Sequence, residues 1–214
     1  MRPAAPLFVT ALLLAAPATE ATPQPAPAAA DTAQDVAAGY AGPREAFDAA
    51  KAAFNDRRWD GFLATVTPDQ QAAMVGEMVA AFEMMRRRPG ADGRVADLVN
   101  RFFPRGVPAD ALSQDAAARR SATADLVERL DDPSAFFGAA TNLAMALEHG
   151  ARSGEVAVET LGDLRPVKTA DGASDRAVRA EVTLKLPEAD APRRDVWTFV
   201  VVEKRWFLAP LGVD

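Results

Sequence analysis

The spacing of the apolar residues changes once along this 214-residue chain, at Gly150. Before that glycine, apolar side chains recur three and four positions apart, which is the spacing of one helix face. After it they alternate with polar side chains, as on a strand. Because helices followed by a run of strands are typical of α+β domains, we expect N-terminal helices (residues 43–150) packed on a C-terminal antiparallel β-meander (residues 151–214).

Prolines, glycines and capping residues indicate where the helices begin and end. Thr67-Pro68-Asp69-Gln70 predicts a capping box in which Thr67 accepts a hydrogen bond from the Gln70 amide. Gly150 predicts the C-terminal cap of the last helix. Residues 107–120 are rich in alanine and do not favour one structure. The helices expected on these grounds cover residues 43–57, 59–63, 67–86, 95–103, 122–130 and 133–149.

Alternation predicts the strands. Residues 176–186 predict a strand with one solvent-exposed face. Its apolar residues, at positions 178, 180, 182, 184 and 186, lie on the opposite face. Residues 196–202 are apolar on both faces and predict a central strand. A tight Glu203-Lys204 hairpin then leads to residues 205–208, where Trp206 and Leu208 share a face, Phe207 takes the other, and Trp206 is expected to be largely buried.

Two further features of the meander are predicted near its ends. An earlier strand runs from Val156 to Val167 with an irregularity at Gly162-Asp163. Asp171-Gly172 is a turn dipeptide between this strand and the next, and Pro210 ends the pairing of the last strand.

The N-terminus has the pattern of a cleaved export signal. A short positive start, Met1-Arg2-Pro3, precedes an apolar run of ten residues, Leu7–Ala16, and a small-x-small site at Ala16-Pro17-Ala18. The run is half the length of a membrane span, which needs about 20 apolar residues. We expect residues 1–18 to be a signal peptide and the protein to be periplasmic or secreted.

Residues 19–42 are rich in alanine and proline and predict a linker that adds no stability, although they include Tyr40, the only tyrosine. Residues 43–214 then form a single domain.

Two segments resemble a known fold. They are PREAFDAAKAAFNDRRWDGFLATVTPDQ (residues 43–70), an Ala- and Phe-rich helix followed by a Trp turn, and RRDVWTFVVVEKRWFLAPL (residues 193–211), a hairpin ending in Trp-Phe-Leu. With the order of elements, they resemble the SnoaL-like and ketosteroid-isomerase-like cone fold of the nuclear-transport-factor-two-like superfamily, as an exported bacterial member of unassigned function. The resemblance implies a curved sheet facing helices, and enzymes of that superfamily commonly use a pocket Asp as base.

Composition argues against several functional classes. The net charge of −6 disfavours general nucleic-acid binding. With one histidine and no cysteine, a zinc site and thiol chemistry are disfavoured, and no nucleophile-elbow, Walker or dinucleotide motif occurs. His149 lies one residue before Gly150, at the predicted end of a helix, where a protonated histidine interacts favourably with the helix dipole. Its presence therefore needs no functional explanation. We assign no catalytic residue, metal or cofactor.

Two groups of residues are candidate binding sites. A ligand pocket between the helices and the sheet would be lined by Met78, Phe82, Trp197, Phe199 and Trp206, although a stripe at helical spacing such as Met74, Met78, Met84 and Met85 is more often ordinary core. The second candidate is an Arg-rich patch that would bind an anionic partner. This segment has only two acidic residues, Asp92 and Asp97, against six arginines: Arg86, Arg87, Arg88, Arg94, Arg101 and Arg105. The simpler explanation is that these arginines stabilise a helix end and lie on solvated faces.

Three functional hypotheses remain. The first is an exported, non-enzymatic domain that binds an apolar small molecule or an envelope protein in a pocket between helices and sheet. The second is a lyase or isomerase of the same fold with a pocket carboxylate as base, for which Asp195 and Glu181 are the acids near strands. The third is an envelope-associated structural module that acts through the Arg-rich patch. A buried carboxylate with a raised pKa favours the second hypothesis, and a purely apolar or filled interior favours the others.

Overall fold

The computed structural model describes residues 39–113, 115–169, 172–187, 189 and 191–209. These residues contain six α-helices followed by a curled antiparallel half-barrel, so the α+β prediction is confirmed. The helices are α1 (Pro43–Asn55), α2 (Trp59–Leu63), α3 (Pro68–Arg86), α4 (Gly93–Phe102), α5 (Ala116–Glu128) and α6 (Pro133–His149), with 3₁₀ turns at Ala109–Leu112 and Gly150–Glu155. The strands are β1 (Ala157–Leu161), β2 (Arg165–Thr169), β3 (Gly172–Lys185), β4 (Arg193–Val202) and β5 (Arg205–Leu208).

The structure tests the capping residues at the ends of α3 and α6. Asp132 caps α6 by accepting a 2.8 Å hydrogen bond from the Ala135 amide. The predicted cap at Gly150 is confirmed, because its φ is +57° and its N–H donates to the Ala146 carbonyl. Thr67 does precede α3, but its side chain accepts no capping hydrogen bond, so the predicted capping box is wrong on that point.

Helix α5 begins earlier than the sequence pattern indicates. The prediction started this helix at Ala122, whereas the structure starts it at Ala116. The Asp115 carboxylate immediately before it accepts a 3.4 Å hydrogen bond from the Ala118 amide. Alanine has the highest helix propensity, so an Ala-rich segment with an acidic start extends the helix without any apolar stripe to reveal it.

Strand β3 holds the sheet together. β4 pairs along one edge of β3, and β1 and β2 share the other edge. The break between β1 and β2 contains Gly162, whose N–H donates a 2.7 Å hydrogen bond to the Glu181 carbonyl. A Cβ at Gly162 would lie 3.2 Å from that carbonyl oxygen. The irregularity predicted at Gly162-Asp163 therefore divides what we expected to be one strand into two.

One face of the sheet meets the helices and is called the inner face below. On β3 it carries Ala180, Val182 and Leu184, all buried, whereas Arg179 and Glu181 point to the exposed side. The predicted division of β3 into a buried face and an exposed face is confirmed. A smaller apolar cluster lies on the opposite face and consists of Ala177, Val200, Phe207 and Ala209 with Val167 packed against it.

The prediction that residues 196–202 form a central strand is confirmed, because β4 pairs with β3 on one side and with β5 on the other. The two faces of β4 differ in exposure. The helices cover the inner face, which carries the buried Trp197 and Phe199. On the opposite face, Val196 is 57% exposed and Val202 is 40% exposed.

The β4–β5 hairpin has the predicted two-residue loop. Val202 pairs with Arg205, and Glu203 and Lys204 have φ values of +50° and +67°. Two positive φ values suit the right-handed twist of a hairpin, at a cost of about 1 kcal/mol for each non-glycine residue. Asp171 and Pro210 lie outside the described residues.

The faces of β5 agree with the prediction, but the burial of Trp206 does not. Leu208 is buried in the main core, and Phe207 is buried in the small opposite cluster. Trp206 was expected to be largely buried, whereas it is only partly buried at the margin of the core. It lies at the outer edge of the sheet, where fewer neighbours surround it.

Helix α1 is fixed to the edge of the sheet by polar contacts at its C-terminal end. The Asn55 side chain exchanges two hydrogen bonds with the Val158 backbone, of 3.0 and 2.8 Å, in the manner of a neighbouring strand. Arg57, at a φ of +60°, donates to the Ser153 and Val156 carbonyls. These contacts close part of the β1 edge and hold α1 against the sheet.

The fold begins before α1. Tyr40 pairs with Trp206 on the edge of β5 that faces away from β4, through two backbone hydrogen bonds of 3.1 and 2.9 Å, and its ring packs on the core. Gly39 has a φ of +54°, and a Cβ there would lie 2.4 Å from the Cβ of Arg205. The sequence places Tyr40 in a linker without stabilising contacts, whereas the structure makes it an edge partner of the sheet.

Removing Tyr40 should therefore weaken the domain. The free energy of unfolding of a chain that starts at Gly42 should be about 2 kcal/mol lower than that of a chain that starts at Gly39. The shorter chain loses two backbone hydrogen bonds and the burial of part of an aromatic ring. Urea unfolding of the two proteins measures the difference. Equal stabilities would show that the pairing with β5 contributes nothing.

Candidate functional site

The inner face of β4 combines an acidic residue with two aromatic residues. Asp195, Trp197 and Phe199 occupy alternate positions and therefore point to the same side. Their exposed fractions are 4%, 1% and 0%. A carboxyl group thus shares a fully buried strand face with two large aromatic rings.

Aromatic side chains from the helices cover Trp197. The Phe47 ring on α1 and the Phe62 ring on α2 contact it edge-on, at centroid distances of 5.9 and 6.5 Å. Phe62 in turn stacks on Phe137 of α6 at 6.2 Å with an interplanar angle of 5°. Trp197 is therefore reached from three helices, directly or through Phe62.

Two polar atoms on this face have no hydrogen-bond partner among the described residues. They are Oδ2 of Asp195 and Nε1 of Trp197. The other carboxylate oxygen, Oδ1, accepts a 2.9 Å hydrogen bond from the Val196 amide. Trp59 provides a contrast, because its Nε1 donates to Oδ1 of Asn142 at 3.1 Å.

Burial also affects the charge of Asp195. It raises the pKa of the Asp195 carboxyl above its ordinary value, and the Val196 amide and the charge of Arg193 oppose that shift. Thr141, one turn beyond Phe137 on α6, is a further buried group whose hydroxyl lacks a partner in the described structure. Since an unpartnered buried polar atom costs about 1–3 kcal/mol, Asp195 and Trp197 form an energetically expensive pair.

Asp195 and Trp197 offer one hydrogen-bond acceptor and one donor at alternate positions of β4. An indole N–H can only donate, and an ionised carboxylate oxygen can only accept. A donor and an acceptor beside aromatic rings are the groups that recognise a small polar group in binding sites. Asp195 can also take up or release a proton, because its pKa is shifted toward neutrality.

The predicted pocket residues divide between two regions. Met78, Phe82, Trp197 and Phe199 are all buried in the main hydrophobic core, and Trp206 packs at its margin. However, α3, which carries Met78 and Phe82, packs chiefly against α4, α5 and α6, whereas α1 packs on the sheet. The residues found next to Trp197 are instead Phe47 and Phe62.

Asp195 was noted as an acid near a strand but was not assigned to a site. Extending the alternation of Phe199 and Trp197 by two residues toward the N-terminus would have placed it on the same face. The methionine stripe behaves mostly as core, because Met74 and Met78 are buried and Met85 is partly buried, whereas Met84 is 50% exposed.

Three of the six arginines in the Arg-rich patch pair with carboxylates of the same chain. Glu83 has no exposed surface, and its carboxylate accepts hydrogen bonds from Arg86 at 2.6 and 2.8 Å and from Arg87 at 2.7 Å. These charge-assisted hydrogen bonds lower the pKa of Glu83. Arg94 pairs with Asp92 at 2.8 Å.

The remaining cations of the patch are spread over the surface. Arg88, Arg101 and Arg105 are exposed, and the Arg101 guanidinium lies 5.1 Å from the centre of the Phe102 ring. Counting charges from Arg86 onward missed Glu83, which lies one helical turn earlier on the same helix.

His149 lies at the end of α6, as expected, and is 9% exposed. Its Nε2 atom lies 3.6 Å from Oε1 of Glu148. Among the described residues, no three His, Cys, Asp or Glu side chains are grouped so that they could hold a metal ion.

Comparisons with known proteins assign no relative. No protein-family model, no curated protein sequence and no solved structure matches this chain. In the part of the chain that the structure describes, none of the helices combines the length and the apolar character needed to span a bilayer.

Glu83 provides a test of the electrostatic account. Glu83→Gln should lower the free energy of unfolding by about 2 kcal/mol at pH 7, because two arginines lose a buried, charged acceptor. The native pKa of Glu83 is depressed below 4.5, so this stabilisation is fully present above about pH 4.5 and is lost as the pH falls through the native pKa. The variant and the wild type should therefore converge in acid.

The matched control for this prediction is Glu155→Gln. Glu155 accepts from Arg152 with the same three-residue spacing, but both side chains are about half exposed. Unfolding curves measured between pH 3 and 7 should show little change for this control. An equal loss in both variants would contradict the role of burial at Glu83.

Proposed function

We propose that this protein is an exported domain that binds a small, largely apolar molecule at the inner face of β4. The observation that carries the proposal is the pair of buried, unpartnered polar atoms, Asp195 Oδ2 and Trp197 Nε1, beside the rings of Phe47 and Phe62. Sites for small molecules commonly combine aromatic walls with a few convergent polar groups. A ligand that hydrogen-bonds to both atoms removes their desolvation cost.

The export of the protein and its fold family are proposed on the basis of the sequence. The signal pattern lies in residues 1–18, outside the described residues, and supports a periplasmic or secreted location. Membership of the nuclear-transport-factor-two-like superfamily stays a proposal; a curled sheet that faces helices is compatible with it.

A second candidate function is catalysis by Asp195. A buried carboxyl group with a raised pKa is the feature that we expected to favour a lyase or isomerase with a carboxylate base. In that case Asp195 removes a proton from the bound molecule, and the Trp197 N–H donates to an oxygen of the same molecule. The Arg-rich surface module is supported less well, because Glu83 and Asp92 already pair with three of its six arginines.

Retention of the native ligand tests the binding proposal. Wild-type protein isolated from its native host should carry a small molecule that is visible by native mass spectrometry, and Trp197→Phe should carry much less. The matched control is Trp206→Phe, the same chemical change on the neighbouring strand at a partly exposed indole. Equal ligand loads in all three proteins, or no ligand in any, would contradict the proposed site.

The ligand should also stabilise the protein. If the site is occupied at 100 to 1,000 times the dissociation constant, the isolated protein should exceed the refolded, ligand-free protein by about 3–4 kcal/mol in free energy of unfolding. Denaturant unfolding before and after refolding measures this gain. Trp197→Phe should show almost no gain, and a full gain in that variant would place the ligand elsewhere.

The pH dependence of the ligand-free protein tests Asp195 separately. Its native pKa is raised above the ordinary 3.8, so Asp195 destabilises the fold when ionised. This destabilisation should be relieved as the pH falls through the native pKa, and the relief should be complete below about pH 3.8, opposite in sign to Glu83. The difference in unfolding free energy between wild type and Asp195→Asn, followed across pH, isolates the effect. A difference that does not vary with pH would show that Asp195 is not buried as described.

A further inference from the structure

The polar pair on β4 also restricts which chemical group can bind there, an inference that rests on the proposed function. Nε1 of Trp197 needs an acceptor, and Oδ2 of the ionised Asp195 carboxylate needs a donor. The two residues occupy positions i and i+2 of β4, so their side chains lie on the same face of the sheet. A ligand group that meets both atoms must therefore be an acceptor and a donor at once.

Burial disfavours the ionised form of Asp195, but two groups beside it oppose that effect and stabilise the carboxylate. Oδ1 accepts the Val196 amide at 2.9 Å, and such a bond stabilises a carboxylate. Arg193, two positions earlier on the same strand, adds positive charge. Oδ2 is then an acceptor that has no donor in the described structure.

Other common groups satisfy only one of the two atoms. A ketone accepts from Trp197 but has no hydrogen to donate to Asp195. An ammonium group donates to Asp195 but leaves the indole N–H unpartnered, although the aromatic rings would attract its charge. A carboxylate would place a second negative charge beside Asp195.

We infer that the inner-face site of β4 binds the hydroxyl group of an otherwise apolar alcohol, which accepts from Trp197 Nε1 and donates to Asp195 Oδ2. The apolar remainder of the molecule lies against Phe47 and Phe62. The hydroxyl is the smallest neutral group that is both donor and acceptor at one atom.

A matched set of ring compounds tests the inference on refolded protein. The probes are cyclohexanol, cyclohexanone, cyclohexylammonium and methylcyclohexane, and the readout is the indole ¹H–¹⁵N resonance of Trp197, identified from the Trp197→Phe spectrum. Trp59 is the internal control, because its N–H is already bonded to Asn142. Cyclohexanol should shift the Trp197 resonance, leave that of Trp59 in place, and bind at least tenfold more tightly than the other three probes.

Two variants show whether the selectivity comes from the polar pair. Asp195→Leu removes the acceptor and replaces it with an apolar side chain of similar size, which the buried position tolerates. This variant should lose at least tenfold in affinity for cyclohexanol, as should Trp197→Phe, measured by displacement of an apolar fluorescent probe. Their affinity for methylcyclohexane should change less than threefold.

The outcomes separate this inference from the proposed function. If cyclohexanone or cyclohexylammonium binds as tightly as cyclohexanol, the alcohol preference is overturned while binding at the inner face stands. If no probe shifts Trp197 and the protein from its native host carries no ligand, both proposals are overturned.

Discussion

The contact of Phe62 with two partners, Phe137 on one side and Trp197 on the other, joins the helical half of the molecule to the sheet. Phe62 belongs to a helix of only five residues, which cannot be stable alone and depends on this packing. Phe47 reaches the same indole from α1. Because each ring buries a large apolar area, these contacts set the distance between helices and sheet, and neighbouring side chains must fit that distance.

The same aromatic rings make the unpartnered polar groups on β4 energetically costly. The rings that contact Trp197 shield this face from water, so the unpartnered atoms of Asp195 and Trp197 lose hydration without gaining protein partners. Glu83 shows the opposite solution within the same chain, since its buried carboxylate is matched by two arginines. The Glu83 carboxylate is thus compensated and that of Asp195 is not, and Asp195 lies on the face where a ligand would have to bind.

Local patterns predicted much of the fold, and contacts between distant residues account for what they missed. The alternation along β3, the Gly150 cap and the two-residue loop at Glu203-Lys204 depend on neighbouring residues and were predicted correctly. The pairing of Tyr40 with Trp206 depends on residues more than 160 positions apart, which no periodicity reveals. At the candidate site, Trp197 and Phe199 were predicted, but the approach of Phe47 and Phe62 requires knowing that α1 and α2, rather than α3, cover the sheet.

The central claim is that Asp195 and Trp197 jointly bind a ligand group. A high-resolution crystal structure of the protein isolated from its native host tests it most directly. The account predicts density for a non-protein molecule with one atom within hydrogen-bond distance, about 2.7–3.1 Å, of both Asp195 Oδ2 and Trp197 Nε1. Density for an isolated water bridging the two atoms, or direct hydrogen bonds from them to protein groups, would contradict it.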